Sequence, residues 1–149
     1  MSIPFIDLKA QYLRLKPEID AGIERVLNHG RFILGPEVGE FEAALASHVG
    51  VSHVVSCANG TDALTLALMA ENIGPGDAVF IPAFTFTATA ETVLLVGAEP
   101  VFVDVDGENF LIDGDDLERK IEAVKATGKL TPRAVIPVDL FGLPADYEA

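Results

Sequence analysis

From residue 51 onward, short apolar runs rich in β-branched residues alternate with stretches whose apolar side chains repeat at helical spacing. That alternation confines the segment to an α/β fold built on a parallel sheet. Strands are expected at 52–57, 78–82, 100–104 and 134–139, and helices at 60–72, 86–96 and 115–127. Gly74-Pro75-Gly76-Asp77 supplies the turn after the first of these helices, and Gly97 the break after the second. Asp113 reads as the N-cap of the third, Leu117, Ile121 and Val124 as its buried stripe, and Gly128 as its end.

Two helices are expected before this region. Pro17 suits a first helical position, with Ile19, Ile23, Val26 and Leu27 forming a stripe that stops near Asn28-His29-Gly30. Pro36 opens the second, whose Val38, Phe41 and Leu45 share a face ahead of Gly50. The glycine-bounded segment Gly30-Arg31-Phe32-Ile33-Leu34-Gly35-Pro36 between them is either a packing loop or part of a ligand pocket. At the other end Phe141-Gly142-Leu143-Pro144 reads as a strand-exit loop. Ala145-Asp146-Tyr147-Glu148-Ala149 then reads as the first turn of a further helix, with no apolar stripe to bury, which gives the chain the look of a fragment.

Composition narrows the function classes. A chain of 149 residues buries about 68–70% of its unfolded surface, enough for a real core. Half of the residues are hydrophobic and mean hydropathy is +0.36, an excess that points to large buried interfaces. The formal net charge of −13 opposes nonspecific binding to nucleic acid or anionic membranes. Any phosphorylated ligand must therefore be held by local N–H groups or by residues outside this chain. Cys57, the single cysteine, excludes an intrachain disulfide and a cysteine-based zinc cluster, and reads as a small buried residue at a strand end. No signal peptide is visible at the start, and no apolar run reaches the roughly 18 residues of a membrane span, so the cytoplasm is the simplest compartment.

Ser56-Cys57-Ala58-Asn59-Gly60-Thr61-Asp62-Ala63-Leu64 joins an expected strand to an expected helix. A helix beginning near Gly60 presents unpaired N–H groups and the positive end of its dipole. Gly60 allows close approach of an anion and the Thr61 hydroxyl adds a donor, so the corner suits a phosphate. Equally, Asn59-Gly60 can be only a turn, with Asn59 as its cap. Pro82-Ala83-Phe84-Thr85-Phe86-Thr87-Ala88-Thr89-Ala90 follows a strand directly and so falls at the carboxyl edge, where open α/β sheets bind ligands. One of Phe84 and Phe86 can stack on a planar ligand, or both can be core. Glu91, one helical turn later among small and apolar residues, reads as part of a solvated helix face, with a poised carboxylate as the alternative. Asp104 and Asp106 have no histidine close in sequence, and His29, His48 and His53 are dispersed. Neither a nucleophile triad nor a GxGxxG or GxxxxGK[ST] loop is present.

Several blocks, in order, then carry a resemblance. Phe5-Ile6-Asp7-Leu8, Arg31-Phe32-Ile33-Leu34-Gly35-Pro36-Glu37-Val38, Phe41-Glu42, the Ser56–Leu64 block, Gly74-Pro75-Gly76-Asp77, Pro82-Ala83-Phe84-Thr85-Phe86 and Val135-Ile136-Pro137-Val138 together resemble the amino-terminal part of the DegT/DnrJ/EryC1/StrS sugar aminotransferases. The resemblance implies an aspartate aminotransferase-like, fold-type-I domain, three-layer α/β/α and here truncated. It implies pyridoxal 5'-phosphate (PLP) as cofactor and amino transfer, usually from glutamate, to a keto carbon of a nucleotide-linked sugar. The opening block and the Ser56–Leu64 block look most like enzymes acting on UDP-linked 3-keto-N-acetyl uronic acid sugars.

On this resemblance the phosphate turn falls on Gly60, Thr61 and the backbone of Asp62, and the ring that stacks on PLP is Phe86. Phe32 and Gly35 fall near the substrate entrance. Asp139 departs from the family, where histidine is frequent. Residues 1–50 would be an N-terminal helical segment and 51–149 the first half of the PLP-binding domain. The resemblance implies that the Schiff-base lysine and the aspartate pairing with the pyridine nitrogen lie beyond residue 149; none of Lys9, Lys16, Lys120, Lys125 and Lys129 matches the catalytic motif, and this chain alone should not transaminate. The family's sheet order, 3-2-4-5-6-7-1, leaves the strand at 52–57 without a neighbour while the next three pair as 3-2-4. A homodimer is implied, because active sites of this fold borrow residues across the subunit interface. The alternatives are a noncatalytic phosphate-ligand module and, within the family, a sugar dehydratase in which histidine replaces the lysine.

Overall fold

The computed structural model describes residues 5–147, which form two compact units, one running up to Ser56 and the other starting at Cys57. The first unit holds α1 (Leu8–His29) and α2 (Pro36–Val49). Asp7 caps α1 by accepting the Ala10 amide at 2.9 Å, and Gly30, in the left-handed conformation at φ 68°, ends it. The helix therefore starts well ahead of Pro17, which lies inside it and leaves the Leu13 carbonyl without an i+4 donor. The Asp7 cap outweighs the preference of proline for a first turn. Pro36 does open α2, and Gly50 closes it at φ 80°. Neither helix buries a residue within its unit, so their apolar faces, including Leu8, Ile23, Leu27 and Phe41, stand open.

The run 52–57 forms no strand among the described residues. Its backbone is instead held by a side chain: Glu42 of α2 accepts the Ser56 amide at 2.8 Å and the Ser56 hydroxyl at 2.7 Å. Those two bonds, the amide's first, hold the Glu42 carboxyl below the usual carboxylate range. An apolar run becomes a strand only where a neighbour supplies the ladder, and none is paired with it here. Cys57 is exposed rather than buried.

The second unit is α3 (Gly60–Ala70), β1 (Asp77–Pro82), α4 (Ala88–Leu95), β2 (Glu99–Val103), α5 (Gly114–Thr127), β3 (Thr131–Val135) and a 3-10 turn (Leu140–Gly142). The three strands are parallel in the order β2-β1-β3, which is the 3-2-4 arrangement of the family's sheet. Phe80 lies beside Val101 on one flank and Val135 on the other. β3 is expected at 134–139 but ends at Val135, for a reason visible in β1. The Ile136 amide donates to the Phe80 carbonyl at 2.9 Å, and the next rung would need an N–H from Pro82, which has none. Ala145–Tyr147 are not helical, and the rest of the expected helix lies outside the described residues.

Alternation along β1 divides the core. Val79 and Ile81 pack with Leu68, Ile73, Val93 and Ala98 on the side of α3 and α4, whereas Ala78 and Phe80 pack with Val103 under Leu117, Ile121 and Val124 of α5. The unit is thus a three-layer α/β/α sandwich of the fold-type-I kind, with α3 also packed on α4.

One buried carboxylate ties α5 to the sheet. Asp116 accepts the Asp104 amide at 2.8 Å and pairs with Arg119 at 3.1 Å, while Asp113 caps the helix by accepting the Asp116 amide at 2.8 Å. The Asp104 amide above all, helped by Arg119, holds the Asp116 carboxyl below its ordinary range despite desolvation. A depressed folded pKa stabilises the fold above the unfolded value, near 4, and that contribution disappears as pH falls through the folded value. Asp116→Asn, which keeps an acceptor but removes the charge, is expected to flatten the acid limb of a plot of urea midpoint against pH. An unchanged acid limb would refute this account.

Candidate functional site

The head of α3 is built by Asn59, whose backbone is extended at φ −165°. Its Oδ1 accepts the Asp62 amide at 2.9 Å, its Nδ2 donates to Asp62 Oδ2 at 3.2 Å, and its carbonyl takes the Ala63 amide at 3.1 Å. Of the three amides expected to meet an anion, that of Asp62 is therefore already engaged. Among the described residues nothing accepts from the Gly60 or Thr61 amide, and the Thr61 hydroxyl makes no bond. Thr61 contributes only its carbonyl, to the Thr65 hydroxyl at 3.0 Å. A Cβ at Gly60 would meet no atom within 4 Å, so space in front of the turn is open. The turn offers two backbone donors and a hydroxyl at the positive end of an eleven-residue helix, a donor set that fits a phosphate.

The two candidate phenylalanines separate clearly. Phe84 packs on Phe110, with ring centroids 5.7 Å apart and planes tilted by 51°, and is 51% exposed. Phe86 makes no ring contact among the described residues and is 76% exposed, so its face is available to a ligand. It precedes α4, which begins at Ala88 and not at 86, and its carbonyl accepts the Thr89 amide at 3.2 Å. Phe86 thus stands at the carboxyl edge of β1, within the same α/β unit as Gly60, Thr61 and Asp62. Glu91 is exposed on α4.

Phe32 and Gly35 belong to the helical unit. Phe32, 69% exposed, lines an apolar groove of about 530 Å³ with Ile19, Ile23, Val26 and Leu27 of α1. A Cβ on Gly35 would lie 2.5 Å from the Arg31 carbonyl oxygen, so this position requires glycine. The loop between them is fastened by a cluster that residue spacing does not reveal. His29 Nδ1 accepts the Arg31 amide at 3.0 Å, and its Nε2 faces Glu37 at 3.1 Å, where Arg25 Nε also donates at 2.9 Å. The His29 bond chiefly, with the Glu37 backbone amide and Arg25, holds the Glu37 carboxyl low. Among the described residues no group of three His, Cys, Asp or Glu side chains could hold a metal, and no helix is long and apolar enough to cross a membrane.

Residues 14–149 match the DegT/DnrJ/EryC1/StrS aminotransferase family. The chain belongs to that family. It is 54% identical over 149 residues to the UDP-2-acetamido-2-deoxy-3-oxo-D-glucuronate aminotransferase of Pseudomonas aeruginosa, covering 99% of this chain and 39% of that protein. A DegT DnrJ EryC1 StrS aminotransferase from Brucella abortus superposes with a TM-score of 0.93 at 56% identity, over 98% of this chain and 39% of the other. The PLP form of the sugar aminotransferase Spr1654 from Streptococcus pneumoniae superposes with a TM-score of 0.74 at 36% identity, over 86% of this chain and 32% of the other. This member thus spans about two fifths of the length of the curated relative and of the Brucella structure.

Proposed function

We propose that the protein carrying this chain is a PLP-dependent aminotransferase that moves an amino group, from glutamate, to the keto carbon of a UDP-linked 3-keto-N-acetyl uronic acid sugar. The observation that carries the reading is the set of unengaged donors at the head of α3, on a chain 54% identical to an aminotransferase of a UDP-linked 3-oxo sugar acid.

In this reading the Gly60 and Thr61 amides and the Thr61 hydroxyl take the phosphate. Asn59 keeps the Asp62 carboxylate turned onto its own amide nitrogen, which keeps negative charge from swinging toward the phosphate. The Phe86 ring covers one face of the pyridine. Bound PLP supplies an electron sink for breaking and making bonds at the amino-bearing carbon. Phe32 and Gly35 border the sugar, and residues outside this chain supply the lysine. A cytoplasmic homodimer completes the proposal. The open apolar faces of α1 and α2 support burial against further protein.

The test is to purify the full-length protein with PLP, record the absorption of protein-bound cofactor, and follow amine transfer from glutamate to the 3-keto UDP-sugar by mass spectrometry. Amine-bearing product is expected. Failure to retain cofactor would favour a noncatalytic phosphate-ligand module, and loss of a sugar hydroxyl without gain of nitrogen would identify a dehydratase.

A further inference from the structure

Beyond β3 the chain runs to Asp139, where the family resemblance leads one to expect histidine. The structure gives this carboxylate a definite task. Asp139 Oδ1 accepts the Ala145 amide at 2.9 Å and the Tyr147 hydroxyl at 2.8 Å, and the Asp139 carbonyl takes the Gly142 amide at 3.1 Å. The Leu143 amide adds a bond to the Leu140 carbonyl at 3.2 Å. Residues 139–147 are thereby closed on themselves by two backbone bonds and by two that converge on the Asp139 carboxylate.

Phe141 stands at the crest of this loop. Its φ of 56° is left-handed, a conformation that a bulky side chain adopts only when its surroundings impose it, and its ring is 83% exposed. An apolar ring held open in an unfavourable backbone conformation gains nothing from packing within the described residues. All three strands are parallel, so the loop leaves the sheet by the same carboxyl edge as Ala83–Phe86, the edge at which open α/β sheets bind ligands.

We propose that Asp139 is a positioning residue, which clamps the 139–147 loop so that the Phe141 ring forms an apolar contact for the nucleotide-linked sugar. The inference rests on the aminotransferase reading above and adds the residue that shapes the substrate side of that site. Asp139 touches no reacting atom. It acts through Phe141, and what it needs for this is an acceptor oxygen, not a negative charge.

The test uses the full-length holoenzyme and three variants, Asp139→Ala, Asp139→Asn and Phe141→Ala. Asp139→Ala and Phe141→Ala are each expected to raise KM for the sugar nucleotide about five- to tenfold, as loss of one modest contact does, with kcat and KM for the amino donor unchanged. Asp139→Asn, whose amide oxygen accepts both bonds, should restore KM to within about twofold of the parent. Hydrogen exchange at the Ala145 amide should quicken in Asp139→Ala and not in Asp139→Asn. If Asp139→Ala does not fold, the Asn and Phe141 variants still decide. An Asn variant with the raised KM, or a Phe141→Ala variant with the parental KM, overturns the proposal while leaving the aminotransferase reading intact. A parent enzyme that neither retains cofactor nor turns over the sugar overturns both.

Discussion

Replacing Phe80 by alanine is expected to cost about 3–5 kcal/mol of folding stability, the usual range for deleting a buried phenyl ring. Phe80 is 1% exposed, sits on the central strand, and is the largest fully buried side chain of the protein's described residues. Its ring fills the layer between the sheet and α5, against Ala78 and Val103 and beneath the Leu117–Ile121–Val124 stripe. A parallel sheet with a strand on each side cannot collapse readily into the space, because the ladder to β2 and β3 fixes the β1 backbone. Phe84→Ala is the control: that ring is half-exposed on Phe110, and its loss should cost far less. Urea unfolding of the two variants beside the parent measures the difference. Equal losses would show that the α5 layer does not depend on Phe80.

The same strand shows what was legible in the amino-acid sequence. Alternation of Ala78 and Phe80 with Val79 and Ile81 needs only the period of a strand, and the helical stripe Leu117, Ile121 and Val124 needs only the period of a helix, so the layers and the sheet order follow from local pattern together with the family resemblance. Features decided by partners distant along the chain, or by a stronger competing cap, were not legible. Residues 52–57 have strand composition but no ladder, and Glu42 holds Ser56 in place of one. Pro17 reads as a start, yet Asp7 had already capped the helix. The end of β3 was set by Pro82, a residue of the neighbouring strand, through the amide it lacks.

The candidate site divides in the same way. The unengaged donors of Gly60 and Thr61 follow from a helix start at this position, and Asn59 caps that start, taking the Asp62 amide and leaving the other two. Which phenylalanine is available depended on Phe110, a residue of the loop after β2 that no spacing rule connects to Phe84. The clamp at Asp139 and the His29–Glu37–Arg25 cluster are likewise side-chain meetings without a periodic signal.

Thr61→Val in the full-length protein should weaken PLP binding about ten- to a hundredfold, the span expected when a hydrogen bond to a charged phosphate is lost. The argument turns on what Thr61 does without a ligand. Its hydroxyl has no partner among the described residues, and valine matches threonine in shape and branching at this helix position, so the fold loses nothing by the exchange. Stability without cofactor should therefore be unchanged, while the concentration of PLP needed for half-saturation, read from cofactor absorption or fluorescence quenching, rises. Asn59→Ala separates the two contributions in the opposite sense. It removes the cap and lowers stability by about 1 kcal/mol, whereas the Asp62 amide and the Asp62 carboxylate that it frees act on the phosphate in opposite directions. If Thr61→Val binds PLP as the parent does, the head of α3 is a capped helix start and the phosphate is held elsewhere. If it loses stability and affinity together, the hydroxyl belongs to the fold and not to the ligand.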